Sequence, residues 1–211
     1  MYNLINSNID LLLNGIQRED HIDPYIHIGK AFNKRENSSP DFKAKYRKFY
    51  QLDAARLSSE FCESYFALLE KNRDKEEIDI RDIIEKLYEL KCNKKGTHSV
   101  HFSFASKLVH TIHSDLPIYD SMVAAFYYFP VKAYWSKDRK IEEYLLSYEF
   151  LKREYTRIMD QNILEQSIDK FKNKFCVGEE YSNVKIIDTL IWRYVALLKT
   201  GAVRDDHVRY D

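Results

Sequence analysis

The 211-residue chain is poor in the residues that interrupt helices, with only 5 glycines and 4 prolines. Sheets joined by tight turns need many such breakers, so their scarcity argues against a β-rich fold and for long helices. Cysteine is also scarce. The three, Cys62, Cys92 and Cys176, are far apart and form no C-x-x-C pair. An odd, scattered set excludes a disulfide framework and a cysteine-based zinc site, and it fits a reducing, cytoplasmic setting. There is no apolar run of membrane-spanning length, so no membrane partner is expected. The N-terminus, MYNLINSNIDLLLNGIQRED, lacks the basic start and long apolar core of a signal peptide. Net charge is absent too, with 33 basic residues against 33 acidic. That counts against coating nucleic acid by bulk electrostatics, but it leaves room for a local basic face.

What is present is apolar and aromatic. Hydrophobic residues make up 45%, and 16 tyrosines and 12 phenylalanines promise an aromatic core. Length allows one all-α domain over 1–211, or two helical subdomains of about 1–92 and 93–211 parted at KCNKKGTHS (91–99). Short helical segments are expected at 8–16 and 24–32. The spacing of Phe49, Leu52, Leu57, Phe61, Tyr65, Phe66 and Leu69 predicts one long helix from about Phe42 to Leu69. Ile80, Ile83, Ile84 and Leu87 share one face of the next helix. Further helices are expected over about 100–113, from Met122, over 139–160 and 162–175, and from Asn183 to Lys199.

The stretch HFSFASKLVHTIHSDLPIYDSMV (101–123) carries the most chemistry. Val100, Phe104, Leu108 and Ile112 recur every four residues and form a core face. Ser103, Lys107, His110, Thr111 and Ser114 fall on a second, polar strip. Pro117 ends the helix, and Asp120 or Ser121 can cap the next one. Lys107 and Asp120 stand 13 positions apart across that short turn, close enough in space to meet. A desolvated lysine amine is a nucleophile toward a sugar C1′ or a carbonyl and forms Schiff bases. A neighbouring carboxylate can take a proton or stabilise an oxocarbenium ion. A lysine on a helix is nevertheless a solvated charge in most cases, and an aspartate before a helix is usually only a cap. On residue pattern alone that plainer reading prevails.

The same stretch resembles the SFASK…H…P-I-Y-D-S pattern of bacterial 8-oxoguanine DNA glycosylase-like (OGG-fold) proteins. These are distant members of the helix-hairpin-helix DNA glycosylase superfamily. About 20 residues carry the likeness, and IIDTLIW (186–192) is similar to a D-x-x-L-W helix late in such chains. The resemblance implies an all-α, helix-hairpin-helix-like bundle that excises a modified or damaged base from DNA, with a possible lyase step. It assigns Lys107 as nucleophile and Asp120 as activating carboxylate. It implies no cofactor, since a cysteine cluster for an iron–sulfur centre is missing. Two departures stand out. Positions 103–106 read Ser-Phe-Ala-Ser, where the superfamily usually has G-x-G to grip a phosphate, and the Lys-to-Asp spacing is short.

Other residues can serve such a site. Ser103, His110, Tyr119 and Tyr127 are candidates for its pocket or support. Lys43, Lys45 and Arg47 in KAKYRK, and Lys132 and Trp135 in KAYWSKDRK, are candidates for DNA contact by charge and stacking. Each also reads as a solvated face or a packed loop. Asp188 and Trp192, one turn apart, read as core. Two rival functions stay open: a helical DNA- or protein-binding module without catalysis, and a metal-dependent hydrolase using His98, His101, His110 and His113.

Overall fold

The computed structural model describes residues 1–92, 96–130 and 133–203. Among these the protein is all-α, with no strand. The expected all-α class therefore holds. Two short N-terminal helices, α1 (Tyr2–Ser7) and α2 (Ile9–Asn14), lead into a π-helical turn, Arg18–Ile22. Such turns are rare and often sit beside functional sites. Helix α3 (Asp23–Asn33) follows directly, with Pro24 in its first turn.

The single long helix expected over 42–69 is instead two helices, α4 (Pro40–Phe49) and α5 (Ser59–Asn72). Pro40 starts α4 behind a Ser39 cap, whose Oγ accepts from the Phe42 N–H at 3.2 Å. Gln51 and Arg56 then adopt left-handed backbone (φ 58° and 52°), and the chain turns. Neither is glycine, which is why a search for breakers passes over the turn. The apolar spacing continues because Tyr50 and Leu52 are buried from within the turn itself. Ser58 restarts the helix by accepting from the Phe61 N–H at 3.1 Å.

Helix α6 (Ile80–Glu89) buries Ile83, Ile84 and Leu87, as its pattern requires, and is capped by Asp79. It packs on α7 (Phe102–Ile112). A turn leads to α8 (Ser121–Phe126), followed by the long α9 (Lys137–Asp160), then α10 (Glu165–Phe175) and α11 (Asn183–Lys199). Helix α11 is the axis of the molecule: ten of its residues are buried, and α1, α2, α8, α9 and α10 all pack on it. The core is aromatic, with Tyr46, Tyr65, Tyr155, Tyr181 and Tyr194 among its largest fully buried side chains. No described helix is long and apolar enough to cross a membrane. Cys62 and Cys92 are buried thiols and Cys176 is an exposed one.

Candidate active site

The SFASK and PIYDS segments fold as one unit. After α7 the chain runs extended through Leu116–Tyr119, and α7 and the core supply partners for its backbone groups. The Leu116 carbonyl accepts from His110 Nδ1 (2.6 Å), and the Pro117 carbonyl accepts from the Tyr148 hydroxyl (3.0 Å). The Ile118 N–H donates to Asp188 Oδ2 (3.2 Å), and the Tyr119 N–H donates to Ser106 Oγ (3.0 Å). Ser106 Oγ also lies 3.1 Å from the Tyr119 and Ser103 carbonyls, either of which can take its proton. A buried extended segment must satisfy its polar groups this way or lose stability. The pinned segment delivers Asp120 to the start of α8. There its Oδ1 accepts from the Met122 and Val123 N–H groups at 2.8 and 2.9 Å. Its Oδ2 takes no hydrogen bond among the described residues.

Lys107 projects from α7 into a cleft of about 880 Å³ that Asp120 also lines. Its side chain is half-buried. The ammonium donates to the Tyr50 carbonyl at the C-terminal end of α4 (3.1 Å) and lies 5.3 Å from the Phe104 ring centroid. Burial pulls its pKa down to about 8, against the pull of Asp120 and with help from Lys185. The fall occurs because desolvation disfavours the ammonium more than one nearby carboxylate restores it.

Helix α11 also lines the cleft, through Lys185, Asp188, Thr189 and Trp192, spaced as one stripe. Asp188 is buried. It accepts from the Tyr155 hydroxyl at 2.7 Å, and burial pushes its pKa up to about 7, opposed by Lys185. Lys185 is half-buried, with its Nζ 5.5 and 5.7 Å from the Tyr25 and Phe49 ring centroids. It makes no hydrogen bond and no ion pair within 4.0 Å among the described residues. Burial lowers its pKa, against Asp188 and Asp120. Trp192 meets His21 of the π-helical turn, ring centroids 5.4 Å apart, and both line the cleft. Lys45 and Lys48 from α4 line it too, as do the acidic Glu19, Asp20 and Asp23. The rim is therefore mixed in charge.

Of the residues singled out by sequence, the cleft brings together Lys107, Asp120, Ser103 and Lys45. Lys45 is tied to Asp41 (2.9 Å) and lies beside His27. His110 is fully buried behind the cleft and is not a wall residue. Its Nδ1–H bond to Leu116 leaves Nε2 to accept from the Tyr25 hydroxyl (2.9 Å), and burial holds its pKa down at about 3. Tyr119 packs in the core against Phe102 and Tyr144, and the Tyr127 hydroxyl bonds to that of Tyr2 (2.8 Å). Away from the cleft, Lys43 lies over Phe66, Arg47 pairs with Asp53 (2.5 Å), and Trp135 stacks with Arg139. Lys132 lies outside the described residues.

The histidines are dispersed. His98 meets the Tyr88 carbonyl, His113 the Lys75 carbonyl, and His101 the rings of Phe61 and Phe104. Among the described residues no group of three His, Cys, Asp or Glu side chains is placed to hold a metal ion. Sequence reasoning missed Lys185 and read Trp192 as core; Lys48 belongs to the basic stretch KAKYRK (43–48) and lines the cleft as well. The available signal was the stripe of Lys185, Asp188, Thr189 and Trp192 on an otherwise apolar helix. Compared with family models, with curated proteins and with solved structures, the chain matches none.

Proposed function

We propose that the protein is a DNA glycosylase-like enzyme acting on a modified or damaged base flipped into the cleft. The observation that carries the reading is that Lys107 and Asp120 line one cleft with a lowered amine pKa. The packed pair α6 and α7 would be the counterpart of the superfamily hairpin. A flipped base needs an aromatic, partly enclosed pocket, and Trp192, Phe49 and Tyr181 line this one.

In this reading the neutral Lys107 amine attacks C1′ of the flipped nucleotide. The C1′–N bond breaks, and its electron pair leaves with the base, which takes up a proton. Asp120 stabilises the positive charge that builds on the sugar and accepts the proton lost by the attacking nitrogen. The C1′–O4′ bond then breaks, O4′ takes the proton held by Asp120, and the opened sugar is left as a protonated Schiff base on Lys107. Loss of the C2′ proton then expels the 3′ phosphate and cleaves the strand.

Borohydride reduces such a Schiff base to a stable amine. Incubated with duplexes carrying a panel of damaged bases, wild-type protein is expected to give a covalent adduct that Lys107→Ala abolishes. Absence of any adduct on every DNA would sink the Schiff-base assignment and favour a non-catalytic binding module. Full base release by Lys107→Ala would also sink it.

A further inference from the structure

The cleft holds charges of both signs, but three of its lysines form no ion pair within 4.0 Å among the described residues. Lys107 spends its ammonium on the Tyr50 carbonyl, and Lys48 at the rim has no ion-pair partner among the described residues. Lys185 faces two aromatic rings and has neither a hydrogen bond nor an ion pair. Neither nearby carboxylate is placed as an ion-pair partner for Lys185, although Asp120 Oδ2 takes no hydrogen bond among the described residues. Asp188 accepts at both oxygens from Tyr155 and Ile118, and Asp120 caps α8 through Oδ1. An ammonium withdrawn from bulk water without a partner is costly, and proteins seldom keep one unless a ligand completes it.

The geometry points to Lys185 as an anion-binding residue that holds a phosphate group in the cleft beside Lys107. Lysine suits this role as a compact point charge with three donors. Lys107 and Lys48 line the same cleft and add positive charge to it, set against Glu19, Asp20 and Asp23 at the rim. The identity of the phosphate rests on the glycosylase reading. If C1′ of a nucleotide meets Lys107, the phosphates within reach of the adjacent ammonium are the two that flank that sugar. Lys185 is then a binding residue, with no proton or covalent step of its own. It would anchor the nucleotide by its backbone, a task the superfamily gives to hairpin glycines that this chain lacks.

Two measurements on the full chain test this. Inorganic phosphate should raise the melting temperature of the wild type and leave that of Lys185→Gln unmoved. A duplex bearing a tetrahydrofuran abasic analogue should bind Lys185→Gln several-fold more weakly than wild type. The slope of log K against log salt should fall by about 0.9, the loss of one phosphate contact. Lys185→Arg keeps the charge and should retain both responses, which separates the role from mere packing and covers a glutamine variant that fails to fold. Equal phosphate stabilisation and equal salt slopes in Lys185→Gln and wild type would overturn the inference. Phosphate stabilisation through Lys185 with an unchanged duplex slope would keep the anion site and remove DNA as its occupant. Binding through Lys185 without any Lys107 adduct would refute the glycosylase reading and leave this one standing.

Discussion

At pH 7, a lysine titrating at about 8 is neutral in about one molecule in ten, whereas one at 10.5 is neutral in about one in three thousand. The fall at Lys107 corresponds to about 3 kcal/mol of disfavour for the ammonium, set mainly by burial. Pulse acylation with acetic anhydride across a pH series, read by mass spectrometry of the Lys107 peptide, measures this directly. The exposed Lys71 serves as the internal reference. Lys107 should label with a midpoint near pH 8. The two charges that act on it give opposite signatures. Asp120→Asn removes the carboxylate that favours the ammonium, so the midpoint should fall. Lys185→Met removes a like charge, so it should rise. A Lys107 midpoint at the ordinary lysine value would refute the claim that the cleft withholds water from this amine. A midpoint indifferent to Asp120→Asn would refute the pairing of the two residues.

Two further outcomes follow from the fold. The His110 pKa is held near 3, below the unfolded value of 6.5, so the stability it confers is complete above pH 6.5 and is lost as pH falls toward 3. Between pH 7 and pH 5 this amounts to about 2 kcal/mol, because only the unfolded state takes up the proton. Asp188, its pKa raised to about 7, works in the opposite direction over the same range, so the test is a difference. By urea unfolding at both pH values, His110→Gln should gain about 2 kcal/mol on the wild type between pH 7 and pH 5, and an equal pH dependence in the two proteins would contradict it. Gly29 lies inside α3, and a Cβ placed there meets nothing within 4 Å. Gly29→Ala should therefore stabilise the protein by about 0.5–1 kcal/mol, read as a rise in melting temperature.

The pattern of the chain made the helical class legible, along with the bounds of α11 and the Asp120 cap. Those features are local: periodicity, a serine or aspartate before a helix, a proline after one. The break between α4 and α5 was not legible, because its turn is made by Gln51 and Arg56 in left-handed backbone and by buried apolar residues that keep a helical rhythm. Nothing in single-residue preference marks either position as a turn. The partner of Lys107 was read from sequence nearness, and Asp120 does line the same cleft. Lys185 was invisible for the opposite reason. It stands 78 positions from Lys107, and tertiary packing, including α8 on α11 and the Ile118–Asp188 hydrogen bond, brings the two into one cleft.

The residues of the SFASK and PIYDS pattern divide by what they touch, and the division bears on how any function is read. Ser106, His110 and Tyr119 face inward, and two of them hold the extended segment in place through hydrogen bonds to its backbone. Ser103, Lys107 and Asp120 face the cleft. A motif whose members were all structural would have no reason to leave a half-buried lysine and a half-free carboxylate at the end of such a clamp. Asp120 is positioned by Ser106, His110, Tyr148 and Asp188 rather than by the turn that precedes Lys107. Under the proposed glycosylase reading, the absence of G-x-G at 103–106 would remove one means of gripping backbone phosphate and leave these contacts to Asp120 in place. In that reading the phosphate grip would come from elsewhere in the cleft, which Lys185 also lines without an ion pair of its own among the described residues.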